Sequence, residues 1–276
     1  MKKLISIDYG NTLYREMGSP LGLGGLNASK SNTNLLTTGL GALQLLNLMR
    51  NGKIVLLNSG CYDGRALAQF LGDINYIYEI SLQNSVPFGN SIDILNVLQN
   101  NLYISTFSGC KIVKLRFQDT FKQQIVLEKT IQLDSFVANL QNTQGIKNIH
   151  LQKGDEAEKF MLQDFDKVKN RLAHILSIKF DNETALRQFK QSFSQKNIMV
   201  LDEFERYNVL NFSQKSSKES AIIDLANLLS INLDECVHFG DSTEDICSKI
   251  DCRILGKGTN KNSKNKDLLE YELAKL

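Results

Sequence analysis

Three short apolar runs in this sequence each end in a polar side chain. Asp8 follows Leu4-Ile5-Ser6-Ile7, Ser59 follows Ile54-Val55-Leu56-Leu57-Asn58, and Asp241 follows Cys236-Val237-His238-Phe239-Gly240. In an open parallel sheet, ligands bind outside the carboxyl ends of the strands. If the three runs are neighbouring strands, two carboxylates and a hydroxyl converge on one crevice. Lys218 adds a cation at the start of a predicted helix, where it opposes the helix dipole at a cost of roughly 0.3–1 kcal/mol. A bound phosphate would reverse that sign. Each residue also has a plainer reading. Asp8 opens Asp-x-Gly-Asn, good turn chemistry. Ser59 suits a helix N-cap, Asp241 and Asp245 suit helix caps, and Lys218 could point to solvent. His238 lies within an apolar strand and reads as a satisfied core histidine. His150 and His174 show no ligand partner.

The elements that would position these groups fall into two patterns. Residues 2–7 and 53–57 read as buried strands. Between them, Leu40, Leu43, Leu45, Leu46, Leu48 and Met49 recur at helical spacing, with Gly52 as the stop. A helix is predicted from about Tyr62 to Leu71. Strand, helix, strand, helix with short links implies a parallel sheet. Near the other end, Ser216 and Glu219 have capping-box spacing. They open a helix with Ala221, Ile222, Leu225, Leu228 and Leu229 on its apolar stripe. A strand at 236–239 and a helix starting near Ser242 follow. The middle reads as mixed α+β. Strands are predicted at 76–82, 102–117, 147–151 and 174–180, with a pair at 198–201 and 207–212. Helices are predicted at 131–140, 156–172 and 183–193. The expected fold class is α/β, with a three-layer, Rossmann-like parallel-sheet core. Residues 1–78 and 213–276 form that core, and 79–212 form an inserted α+β domain.

Composition narrows the function. The chain has 276 residues, 42% hydrophobic and 22% charged, an ordinary globular mix. Lys plus Arg number 32 against 30 Asp plus Glu, a net +2 that argues against nucleic-acid binding by bulk charge. No run approaches the roughly 18 apolar residues of a membrane span. Asp8 interrupts the first apolar stretch too early for a signal peptide. The five Cys lack CxxC spacing, so the expectation is reduced thiols in a cytoplasmic protein. Dinucleotide and P-loop fingerprints are absent: Gly22-Leu23-Gly24 and Gly256-Lys257-Gly258-Thr259 both fail the patterns. The Lys- and Asn-rich segment 257–266 reads as solvated.

Asp8-Tyr9-Gly10-Asn11-Thr12-Leu13 resembles the first motif of the haloacid dehalogenase superfamily, Asp-x-Asp-x-Thr-Leu. Ser59-Gly60 looks like the second motif and Lys218 like the third. Gly240-Asp241-Ser242-Thr243-Glu244-Asp245 resembles the fourth, Gly-Asp-x-x-Asn-Asp. A large α+β insertion between the second and third motifs is similar to the cap of the Cof-like, sugar-phosphate phosphatase branch. The resemblance implies that Asp8 is a nucleophile forming an aspartyl-phosphate, which splits one hard displacement into two easier ones. It implies Mg²⁺ held by Asp8, the Gly10 carbonyl, Asp241 and Asp245. It also implies that Ser59, Gly60 and Lys218 hold the transferring phosphoryl group.

One position departs from that pattern. The family's second motif-one Asp, its general acid and base, is Gly10 here. General acid–base catalysis is typically worth 10²–10⁴-fold. The implied function is a Mg²⁺-dependent phosphohydrolase of a small phosphorylated metabolite, slowed by Gly10. The alternative is a catalytically muted phosphate-binding or sensing protein on the same fold. Other chemistries of the superfamily, such as C–P cleavage or transfer to an acceptor other than water, are a third option.

Overall fold

The computed structural model describes residues 1–8, 12, 40–59, 70–72, 74–75, 78–79, 90–117, 121–133, 140, 143–153, 156–160, 171–193, 199–204, 208–214, 217–241, 245–255, 269 and 272–276. The expectations for Gly10, Gly60, the segment 257–266 and most of the 62–71 helix lie outside these residues.

The main sheet has seven strands. In chain order they are β1 (Leu4–Asp8), β2 (Ile54–Asn58), β3 (Leu102–Thr106), β4 (Lys111–Phe117), β5 (Phe121–Glu128), β13 (Cys236–Gly240) and β14 (Asp251–Ile254). Their spatial order is β14-β13-β1-β2-β3-β4-β5. The first five positions in that order are parallel, and β4 and β5 continue antiparallel. Helices α1 (Leu40–Arg50) and α2 (Ser91–Asn101) bury Leu45, Met49, Ile94 and Leu98 with Ile5, Ile7, Val55 and Val237. The opposite face packs Leu4, Leu56 and Cys236 against Ala221, Ile222 and Leu225 of a C-terminal helix, Lys218–Leu228. Helix, sheet and helix therefore make three layers, as the alternating apolar runs require.

A second sheet contains β7 (Ile146–Lys153), β8 (Glu156–Phe160), β10 (Ile175–Phe180), β11 (Met199–Phe204) and β12 (Val209–Ser213), in the order β11-β12-β10-β7-β8. Helix α3 (Glu183–Ser192) covers it with Leu186 and Phe189. A separate short pair joins β6 (Ile131–Gln132), which follows the main-sheet strand β5 in sequence, to β9 (Leu172–Ala173), which precedes β10. The C-terminal helix of the main layer, Lys218–Leu228, is α4.

Several expectations need correction. Residues 102–128, expected within the insertion 79–212, carry β3, β4 and β5, which extend the main sheet. Pairing of Val55 with Leu102 decides this, because β3 is buried throughout and has a parallel neighbour. The main sheet therefore takes strands from as far along the chain as Glu128. The expected strand 102–117 is two strands, broken by a 3₁₀ turn at Phe107–Gly109. Within the expected strand 76–82, Tyr78 and Glu79 are helical. Residues 156–160, expected to be helical, pair antiparallel with β7, and Ile131–Gln132 pair with β9. Helix α4 is capped by Ser217 with Ser220, one residue later than expected. Residues 246–250 are not helical, so the helix expected after Ser242 does not extend through them.

The two parts touch at the Phe107 turn. Phe107 and Ser108 have φ of 52° and 51°, a left-handed conformation that is uncommon for side chains of this kind. The Phe107 ring stacks on His174, with centroids 4.8 Å apart. His174 Nε2 lies 2.8 Å from Glu128 Oε1. Lys129 forms an ion pair with Asp224 of α4.

Candidate active site

Side chains alternate along a strand. In β1 this places Leu4, Ser6 and Asp8 on the face that meets α4. In β13 it places Cys236, His238 and Gly240 on the same face. The register pairs Ser6 with His238 and Asp8 with Asn58. The carboxyl ends of β13, β1 and β2 thus lie side by side, bringing Asp241, Asp8 and Ser59 to one edge.

Lys218 meets them from α4. Its Nζ donates to Asp8 Oδ1 and to Asp245 Oδ1, each at 2.6 Å. Thr12 Oγ1 sits between Asp8 Oδ2, at 3.2 Å, and Asp241 Oδ1, at 3.5 Å. The Asp241 N–H donates to Asp245 Oδ2 at 3.1 Å. Gly240 makes this packing possible. A Cβ there would run into Cβ and Cγ of Asp245. Glu219, expected to complete a capping box, instead accepts from the Ser248 and Lys249 N–H groups at 2.6 and 2.7 Å. It anchors the loop that follows Asp245.

The cluster is buried and has an excess of negative charge. Asp8 is 4% exposed, Asp241 6% and Asp245 0%. One lysine faces three carboxyl groups. Burial is the largest influence on Asp8; Lys218 opposes it, Asp245 and Asp241 add to it, and the pKa is raised to about 7. Burial also raises Asp241, with Asp245 contributing. For Lys218, burial pushes down, but Asp8 and Asp245 overcome it and hold the ammonium above its ordinary value. Ligand atoms of Asp8, Asp241 and Asp245 lie within 4.8 Å of one another. Hard oxygen donors with surplus negative charge could hold a divalent cation such as Mg²⁺. The residues therefore fit the ion that the sequence implied.

Ser59 follows β2 at the neighbouring strand end and is 2% exposed. Its N–H donates to Ser105 O at 2.8 Å, and its carbonyl accepts from Ser108 N–H at 3.3 Å. The structure brings Asp8, Lys218, Asp241 and Asp245 together. The sequence reading gave no role to Thr12, Ser6, Asn58 or His238, all buried here. Thr12 stood within a quoted motif, and the alternation of β1 already put Ser6 beside Asp8.

A family model for haloacid dehalogenase-like hydrolases matches residues 73–247, more than half of the chain. The chain belongs to the haloacid dehalogenase-like hydrolases. Similar solved structures include the subclass IIB sugar phosphatase BT4131 of this superfamily. It is 11% identical over 88% of this chain and 82% of its own, with a TM-score of 0.51. BT1666 from Bacteroides thetaiotaomicron, described among phosphatases of the haloalkanoate superfamily, is 13% identical over 99% and 96%, at 0.56. A HAD/Cof-like hydrolase from Plasmodium vivax is 15% identical over 99% and 96%, at 0.57. At such identities the likeness concerns the fold. No curated protein matches the sequence. Among the described residues, no helix of this haloacid dehalogenase-like chain is long and apolar enough to cross a membrane.

Proposed function

We propose that this protein is a Mg²⁺-dependent phosphohydrolase acting on a small phosphorylated metabolite in the cytoplasm, through an aspartyl-phosphate on Asp8. The supporting observation is the buried group of Asp8, Asp241 and Asp245 around one lysine, in a chain of a hydrolase family. Asp8 Oδ1 is held by the Lys218 ammonium, whereas Oδ2 accepts only the longer hydrogen bond from Thr12, so Oδ2 is the oxygen that attacks phosphorus. The new O–P bond forms as the bond to the leaving oxygen breaks, and that oxygen takes a proton from water. The hydroxide left by that transfer takes a proton from a second water as the oxygen of that water attacks phosphorus, the bond to Asp8 breaks, and the carboxylate returns. Mg²⁺, held by Asp8, the Gly10 carbonyl, Asp241 and Asp245, would screen the repulsion between carboxylate and phosphoryl group. Lys218 neutralises charge at Asp8. The Ser59 hydroxyl and the Gly60 N–H hold phosphoryl oxygens, which gain negative charge as the bond breaks.

Gly10 favours a second reading, a muted phosphate-binding or sensing protein, because glycine can neither protonate a leaving oxygen nor activate water. Phosphate release from an aryl phosphate with Mg²⁺ separates the two, using wild type, Gly10→Asp and Asp8→Asn. The hydrolase reading expects slow release by wild type that Asp8→Asn abolishes. An inert wild type with a Gly10→Asp variant faster by roughly 10²-fold or more supports the muted protein. Undiminished release by Asp8→Asn contradicts both.

A further inference from the structure

Behind the carboxylates lies a chain of buried polar side chains to which the reaction above gives no role. Asn58, Ser6 and His238 are each 0% exposed, in a layer otherwise filled by Leu4, Leu56 and Cys236. His238 Nδ1 is 3.0 Å from Ser6 Oγ, and its Nε2 is 3.5 Å from Asp245 Oδ1. Asn58 Nδ2 approaches Ser6 Oγ at 3.4 Å and donates to the Lys218 backbone carbonyl at 2.9 Å. Lys218 Nζ returns to Asp245 Oδ1. The contacts form a closed ring through Asn58, Ser6, His238, Asp245 and Lys218.

Donor and acceptor chemistry gives the ring one direction. The amide Nδ2 of Asn58 only donates, so Ser6 Oγ accepts from it and sends its own hydrogen elsewhere. Among the described residues the neighbour for that hydrogen is His238 Nδ1, which must then accept. A neutral imidazole that accepts at Nδ1 carries its hydrogen on Nε2, which faces a carboxylate oxygen that accepts. Nothing in this order has to be rearranged for both Asp245 and the first turn of α4 to be held.

We infer that His238, oriented by Ser6 and Asn58, is a positioning residue in its Nε2–H tautomer, donating to Asp245 and fixing that carboxylate for the divalent cation. It touches no reacting atom and acts through Asp245. The inference rests on the metal-site reading above. Partners of this kind behind a ligand typically change metal affinity 10–100-fold when lost. Packing alone would give a different pattern, because any residue of similar volume would serve.

The test compares His238→Gln, whose amide can still donate towards Asp245, with His238→Leu, which cannot. Mg²⁺ affinity is measured by calorimetry, with Asp241→Asn as control. Nitrogen NMR of the metal-free wild type reports which ring nitrogen carries the hydrogen, whether or not the Leu variant folds. The expected result is an Nε2–H tautomer, affinity within about threefold for Gln, and a loss on the order of tenfold or more for Leu. An Nδ1–H tautomer, or equal affinities in the two variants, overturns the inference and leaves the metal site standing. Undiminished Mg²⁺ binding by Asp241→Asn overturns the metal reading and the inference with it.

Discussion

Lys218 and Asp8 are 210 residues apart in sequence, and Lys218 Nζ donates to Asp8 Oδ1 at 2.6 Å. The same ammonium holds Asp245 at the same distance, in a pocket where Lys218 is 12% exposed. Removing it leaves buried carboxylates facing one another. Lys218→Met should cost about 3 kcal/mol of stability at neutral pH, since breaking a buried pair strands its partner. Urea denaturation checks this. A cost below about 1 kcal/mol would mean that the carboxylates are not coupled to the lysine.

The raised pKa of Asp8 gives a pH dependence of defined sign. The native protein keeps a proton on Asp8 up to about pH 7, while the unfolded chain releases it near the ordinary value of 3.8. Over that window the native state binds more protons, so this group's stabilising contribution falls as pH rises. Asp241 shifts the same way. In EDTA, the thermal midpoint should fall between about pH 5 and about pH 8. Saturating Mg²⁺ should reduce that fall, because a dication replaces the proton among the carboxylates. A midpoint in EDTA that rises with pH, tracked by circular dichroism, would contradict the charge balance described here.

Gly240 is glycine for a steric reason. The atoms that an added Cβ would meet are Cβ and Cγ of Asp245, close to its backbone and unable to swing aside. Gly240→Ala should destabilise by about 3 kcal/mol, the upper range for overpacking. It should also weaken Mg²⁺ binding by displacing Asp245. Urea midpoints and calorimetry on the same variant measure both effects. An unchanged Mg²⁺ affinity would show that Asp245 does not need this position.

Ser213 gives a contrasting case. It is 0% exposed at the end of β12, and its Oγ has no hydrogen-bond partner among the described residues. Removing an unsatisfied buried hydroxyl is neutral or favourable. Ser213→Ala should change stability by between zero and about +1 kcal/mol. A clear loss in urea denaturation would reveal a partner for that hydroxyl.

The parts of the fold that were legible in sequence are those where local pattern and burial agree. Leu4–Asp8, Ile54–Asn58 and Cys236–Gly240 are short apolar runs that end at the site, and α4 has a regular apolar stripe. Strand β5 was not legible. Lys122, Gln123, Gln124 and even Ile125 are exposed, as an edge strand permits, so no alternation marked it. Glu156–Phe160 has helix-forming composition, and its pairing with β7 overrides that local preference. At the site, Asp8, Lys218 and Asp241 carried motif spacing. His238 looked like core because it is core, and its contact with Asp245 depends on a register between strands that no local spacing encodes.

The most direct measurement is the site of covalent modification. Without an acid–base residue at position 10, hydrolysis of an acyl-phosphate should be slow, so the intermediate should accumulate. The protein would be incubated with acetyl phosphate and Mg²⁺, quenched in acid and analysed by mass spectrometry of its peptides. The expected result is one phosphoryl group on the peptide bearing Asp8, lost with EDTA and in Asp8→Asn. A phosphoryl group on Ser59 or any other residue, or none at all in the wild type, would contradict an aspartyl-phosphate at Asp8.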